Sequence, residues 1–335
     1  MVDCVSLPND SRGNDELSRS ANVPRSRAMP TVKHDFAKLN PESAKQNIIW
    51  IASYPKSGNT WVRVFIHNLI RELRCETEGT QDINDLGRYA IWEHSYPHYA
   101  KVLGKPPVHA TSEEIARARP LVQALISSEQ PGLSLAKTHL CFGTEHEVPT
   151  INLSVTLGAI YVVRNPLDVA ISYAYHCGRS IDATIGDMAR PGFRTFPSGN
   201  HVGDVLGSWS QHVASWIGIS SRPIHVIRYE DMLTNPKDVF SGIAEFLGFR
   251  PSLEQLNRSI EKSAFSELSR QEARNGFVEK PASSARFFRA GNSGPWRDSL
   301  HAEQVSRVLQ EHEPMMQRLR YMKPRFTNFG VDKTV

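Results

Sequence analysis

The stretch Asn47-Ile48-Ile49-Trp50-Ile51-Ala52-Ser53-Tyr54-Pro55-Lys56-Ser57-Gly58-Asn59-Thr60-Trp61 changes character twice. It opens as a short apolar run with β-branched residues over 47–52, the pattern of a strand buried on both faces. A turn containing Pro and Gly follows. From Thr60 onward, Val62, Phe65, Ile66, Leu69, Ile70 and Leu73 recur at three- and four-residue steps and so share one helical face. The unit is strand, tight loop, helix. A loop that ends at a helix N-terminus gathers unpaired backbone N–H groups and the positive end of the helix dipole at one spot. That spot suits an anion.

Outward from this unit, apolar runs recur at 133–137, 159–163 and 224–229, with helical segments between them. Strands alternating with helices predict an α/β fold: a three-layer parallel sheet with helices on both faces and a P-loop-like nucleotide-binding core. Asn165 can cap a helix whose first turn holds Pro166 and which ends near Gly178. Further helices are expected at 204–217, 236–247, 252–262 and 299–320. The stretches 179–204, rich in Gly, Pro and Ser, and 270–296, polar with Arg and Gly, read as insertions that serve as lids or move freely. Residues 1–44 are polar without hydrophobic period and are expected to form a disordered tail. The domain is then 45–322, followed by a C-terminal tail at 323–335.

Composition narrows the function classes. The chain has 335 residues, with 39 Lys+Arg against 35 Asp+Glu, a net charge of +4. This excess is too small for a duplex-binding face, so no nucleic-acid partner is expected, whereas a small anionic ligand fits. No run reaches the roughly eighteen apolar residues of a membrane helix. The first residues lack a basic stretch followed by an apolar core, and a cytoplasmic protein is expected. Cysteines at 4, 75, 141 and 177 form no CxxC pair and no Cys/His cluster with zinc spacing. No metal is expected.

Set against the nucleotide-binding pattern GxxxxGK[ST], Ser53 stands for the first Gly, Gly58 and Thr60 match, and Asn59 replaces the Lys, which has moved to Lys56. A kinase needs its Lys after the second Gly, and usually an Asp at a neighbouring strand end for magnesium. Here the third strand runs into Arg164. An arginine there suggests a second, fixed phosphate held by charge-assisted hydrogen bonds. Ser172, about two helical turns further on, could reach the same anion.

At these residues the chain resembles the sulfotransferases that use 3′-phosphoadenosine 5′-phosphosulfate (PAPS). The loop from Tyr54 to Trp61 is similar to their 5′-phosphosulfate loop. Tyr161-Val162-Val163-Arg164-Asn165-Pro166-Leu167-Asp168, with Ser172, is similar to their 3′-phosphate segment. Lys137-Thr138-His139-Leu140, Tyr229-Glu230-Asp231-Met232 and Arg289-Ala290-Gly291-Asn292-Ser293-Gly294-Pro295-Trp296-Arg297 follow in the family's order, over about 45–320.

The resemblance implies PAPS as co-substrate, with no metal. It makes His139 the base, Lys56 the stabiliser of the leaving oxygen and Lys137 the support of the sulfuryl oxygens, an in-line displacement onto a hydroxyl. An imidazole of ordinary pKa would be partly deprotonated at neutral pH. Lys56, Ser57, Gly58, Asn59, Thr60 and Trp61 would line the cofactor site with Arg164, Ser172, Tyr229, Phe265, Arg289, Ala290 and Gly291. Of these, Trp61, Tyr229 and Phe265 occupy the adenine positions. Asn59, where many members have Thr, would still donate to a phosphate oxygen.

Two departures stand in the last motif: Ala290 replaces a Lys and Pro295 an Asp, so one 3′-phosphate contact is missing, for which Arg286 or Arg289 is the substitute at hand. The partner is a small-molecule or glycan hydroxyl acceptor, an alcohol, phenol or sugar. The aromatic segment 88–99, with 179–204 and 270–296, is expected to surround it. The oligomeric state stays open, a homodimer included. Two other functions use the same scaffold: an ATP-dependent small-molecule kinase, and a catalytically inactive nucleotide-binding protein.

Overall fold

The computed structural model describes residues 46–76, 81–129, 132–197 and 201–322. The tails expected at 1–44 and 323–335 lie outside the described residues. Strands β1 (Ile48–Ser53), β2 (Ala90–Trp92), β3 (Ser134–Thr138), β6 (Thr156–Val163) and β7 (Ile224–Arg228) form one parallel sheet in the order β2-β3-β1-β6-β7. Strands β4 (Thr144–Glu145) and β5 (Val148–Pro149) pair antiparallel apart from it.

Every residue of β1 is buried, because helices cover both faces of the sheet. Ile48, Trp50 and Ala52 enter one core, and Ile49 and Ile51 the other. The second core is filled by Val62, Phe65, Ile66 and Leu69 of α1 (Asn59–Leu73), with Phe240 and Ile243 of α8 (Pro236–Phe246) and Leu256 of α9 (Leu253–Lys262). The first takes α2 (Tyr96–Leu103), α3 (Ser112–Glu129), α4 (Pro166–Cys177), α5 (Ile181–Ala189), α6 (Trp209–Ile217) and α12 (Ala302–Arg318). The short α7 (Tyr229–Thr234) follows β7 directly, α10 (Phe265–Asn275) precedes a long irregular segment, and α11 is Trp296–Ser299.

Four expectations change. The stretch 179–204 is not a bare insertion: α5 occupies its first part, and Ile185 and Met188 are core residues. The helix expected from 204 starts at Trp209, because Ser208 caps it in a reciprocal box with Gln211 and leaves 204–207 outside the helix. The segment 270–296 begins as the end of α10, and only 276–295 is irregular. The aromatic stretch 88–99 divides as well. Trp92 ends the edge strand β2, while Tyr99 is fully buried in the core.

Candidate active site

All five strands deliver residues to one cavity at their carboxyl ends: Trp92 from β2, Lys137 and His139 from β3, the 55–60 loop from β1, Arg164 from β6 and Tyr229 from β7. This is where an open parallel sheet offers a crevice, since β1 lies between strands reached by crossovers to either side.

The loop after β1 needs two left-handed residues, Lys56 at φ 65 and Gly58 at φ 109. Glycine is required at 58 for a second reason: a Cβ there would lie 2.8 Å from the Tyr229 ring. Asn59 departs from expectation. Its Nδ2 donates to the Ile51 carbonyl at 2.8 Å, tying the start of α1 back to β1 instead of offering that donor to a phosphate. Ser57 is fully buried and lies outside the cavity lining, whereas Lys56, Gly58, Asn59, Thr60 and Trp61 border it.

Lys56 Nζ stands 3.4 Å from His176 Nδ1 and 3.9 Å above the Phe287 ring. Burial, helped by the Arg164 and Lys137 charges, pulls its pKa down to about 7. Arg164 donates to the carbonyls of Lys56 at 3.2 Å and Asn292 at 3.0 Å, and its guanidinium lies 4.2 Å from the Tyr229 ring centre. Its Nε is buried and has no hydrogen-bond partner among the described residues. Ser172 of α4 borders the same cavity.

Trp61 meets Tyr229 edge-on at 5.8 Å, and with Phe265, Leu268 and Phe288 they make an apolar slot. Gly291, at φ 61, closes that slot. A Cβ there would sit 2.2 Å from Phe265, so the backbone rests directly on the ring. Arg289 and Ala290 border the cavity beside it, and Arg286 does not. Asp168 fixes the end of this segment by accepting from the backbone N–H groups of Gly294 at 2.8 Å and Trp296 at 3.2 Å.

His139 is nearly buried, and its Nδ1 lies 2.7 Å from the Ser53 carbonyl oxygen. A carbonyl only accepts, so Nδ1 carries the hydrogen and Nε2 keeps its lone pair. The ring is not an imidazole of ordinary pKa. Burial, with the Lys137 charge added, pushes it down to about 3, and it is neutral throughout the physiological range.

Residues that the sequence reading did not single out complete the site. Glu279, from the irregular segment after α10, accepts a hydrogen bond from Arg63 Nη1 of α1 at 3.0 Å, pairs with the charge of Arg63 Nη2 at 2.7 Å, and accepts from Lys137 Nζ at 3.2 Å. All three side chains are buried. Burial would raise the Glu279 pKa, but Arg63 and Lys137 hold it below the usual carboxylate range. Lys137 also lies 4.4 Å over the Trp92 ring, itself stacked with His201. Asp204 is buried against His94. A charge at Arg63, inside the apolar run of α1, was a signal that a buried carboxylate must answer it. Nothing marked Glu279 as the answer, nor Asp204 as the buried partner of His94. Among the described residues, no group of three His, Cys, Asp or Glu stands together as a metal site would need.

The family model that matches the chain is that of the sulfotransferase domain, over residues 46–320. Sulfotransferase 1A1 of Bos taurus is 29% identical over 292 residues, covering 83% of this chain and 87% of the relative. Sulfotransferase 1C2 of Homo sapiens is 26% identical over 290 residues, covering 83% and 86%. Among solved structures, a retinol dehydratase in complex with androsterone and the inactive cofactor PAP aligns with TM-score 0.57 at 21% identity, over 85% of this chain and 84% of that one. A mouse sulfotransferase complexed with PAP aligns with TM-score 0.51 at 20% identity, over 85% and 90%. These structural likenesses describe the fold.

Proposed function

The chain belongs to the sulfotransferase family and is an enzyme that transfers a sulfuryl group from PAPS; from that premise we propose which side chains do so, and onto what. The observation that carries the assignment is His139. Its Nδ1 is committed to the Ser53 carbonyl, which leaves an unprotonated Nε2 at the cavity that Lys56, Lys137 and Arg164 also border.

Two features of the cavity fit such a ligand. Arg164 Nε is buried without a partner among the described residues, and burial with the Arg164 and Lys137 charges lowers the Lys56 pKa to about 7, so that a bound anion would favour its charged form. Lys56 with the backbone of 58–61 would hold the 5′ end, and Arg164, Ser172 and Arg289 the 3′-phosphate. Trp61, Tyr229 and Phe265 would take the adenine, with Ala290 and Gly291 as backbone wall. When bound, PAPS supplies a sulfuryl group on a phosphate leaving group.

His139 Nε2 takes the proton of the acceptor hydroxyl as that oxygen bonds to sulfur and the bridging S–O bond breaks. Lys56 offsets the charge growing on the departing phosphate oxygen, and Lys137 faces the sulfuryl oxygens. The acceptor is a small-molecule or glycan hydroxyl, held between Trp92, the side chains of Thr195, His201 and Asp204, and the irregular segment after α10. We further propose one α/β domain over 45–322, working in the cytoplasm with no nucleic-acid partner. Among the described residues no helix is long and apolar enough to cross a membrane.

Arg164 at the end of β6, and Asn59 with its amide turned to β1, stand where a kinase needs a metal-linked Asp and a phosphate-spanning Lys. Thermal protection decides between them. Adenosine 3′,5′-bisphosphate at a hundred times its dissociation constant should stabilise the protein by about 2.7 kcal/mol, and ATP with magnesium much less. The reverse order would favour the kinase.

A further inference from the structure

The cavity has two chemically different walls. On one side stand Trp61, Leu268, Phe265 and Phe288. Past His139 the lining turns polar, with Thr195, His201, Asp204 and Glu279 beside Trp92 and Tyr173. Glu279 is fully engaged by Arg63 and Lys137. Asp204 differs.

The Asp204 residue is 3% exposed and still borders the cavity. Its carboxylate oxygens both lie 3.3 Å from one atom, His94 Nδ1, so the two share a single long contact. A carboxylate accepts at about four lone-pair positions, and among the described residues the His94 contact leaves most of that capacity open. The backbone holds the group in place. Thr195 N–H donates to the Asp204 carbonyl at 2.9 Å, Asp204 N–H donates to Thr195 Oγ1 at 2.8 Å, and Gly203, at φ 83, lets the two strands of chain touch. A bridge between Ser95 and His201 ties the same segment to the end of β2.

Burial pushes the Asp204 pKa up, but the His94 contact outweighs it and holds the carboxyl below the usual carboxylate range, hence ionised. An ionised carboxylate only accepts hydrogen bonds. A substrate that covered it without offering a donor would strip its water and return nothing.

Resting on the sulfotransfer reading, we propose that Asp204 is an acceptor-recognition residue that takes a hydrogen bond from a second donor on the substrate. The substrate class is then a polar hydroxyl compound whose reacting OH has a hydroxyl or ammonium neighbour, a polyol or an amino alcohol, and not a hydrocarbon with one hydroxyl. Sites built to bond a substrate OH or NH reject analogues lacking it by up to about 10⁴-fold, and at least tenfold is expected here.

The test compares kcat/KM with PAPS for cyclohexanol, trans-cyclohexane-1,2-diol and trans-2-aminocyclohexanol, in the wild type, Asp204→Ala and Asp204→Asn. Protection by adenosine 3′,5′-bisphosphate is measured alongside. The wild type should favour the diol and the amino alcohol, and Asp204→Ala should erase both preferences while protection stays unchanged. Asp204→Asn, which keeps the shape and one carbonyl, should lose the amino alcohol more than the diol. Equal rates on all three compounds in the wild type, an equal loss on all three in Asp204→Asn, or no transfer to any of them while protection persists would overturn the acceptor assignment. Loss of protection in the wild type would instead overturn the sulfotransfer reading beneath it.

Discussion

The two halves of the cavity are built differently. The nucleotide half stands mainly on the strand ends, the first turn of α1 and α4, regular elements whose side chains were visible as contiguous motifs, with Phe265 and the 289–291 backbone closing it. The acceptor half hangs on the edge strand β2, on Thr195, His201 and Asp204, and on the irregular segment after α10, and its charged residues come from positions far apart in the chain. Generic chemistry is set by the scaffold and particular recognition by what is laid over it. A fixed ligand with two anionic ends tolerates no movement of its cations, whereas an acceptor pocket changes whenever a covering segment changes.

The sharpest way to break this comparison is at the seam between the halves. His139→Ala should cut transfer by about 10²- to 10⁴-fold with nucleotide protection unchanged, since the base acts only on the acceptor proton. Transfer at the wild-type rate would remove His139 from the mechanism.

Next comes the residue that fastens one half to the other. Glu279→Gln leaves Arg63 charged and buried without a counter-ion, and should cost about 3–5 kcal/mol of stability, read as a lower melting temperature. Lys137 loses its carboxylate in the same change, so transfer should fall as well. An unchanged melting temperature would mean that the covering segment is held by its other ties, at Asp168 and Glu272.

The smallest effect probes the nucleotide half alone. Lys56 in the free protein carries its proton below about pH 7 and sheds it above. An anion bound beside it raises that pKa, so binding takes up a proton on the alkaline side. Affinity for adenosine 3′,5′-bisphosphate should therefore fall as pH rises above about 7, by up to about tenfold per unit. Calorimetry from pH 7 to 9 that gave a flat affinity would show that Lys56 stays charged without the ligand.

The division of the cavity also explains what could be read early. Lys56, Arg164 and His139 were legible because each follows directly on a buried strand, and the end of a strand is a fixed place in a parallel sheet. Glu279 was not legible, because nothing in a polar loop says that it will fold back onto α1 and β3. Asn59 misled for a related reason: either a phosphate or the Ile51 carbonyl could satisfy its amide, and local sequence does not choose between them. His139 was identified by its neighbours, but its protonation was misjudged, since desolvation and the Lys137 charge depend on what surrounds the ring.

By itself the sequence determined the strand, loop and helix of 47–73, the parallel sheet around it and the family of motifs at the strand ends, because hydrophobic period and turn chemistry are local properties. The tertiary structure alone decided which charges meet. Arg63, Glu279 and Lys137 become one buried network, and Asp204 becomes a buried carboxylate bordering the cavity beside His94, only when distant segments exclude water together. Burial and distance fix the strength of a charge, and a linear sequence carries neither.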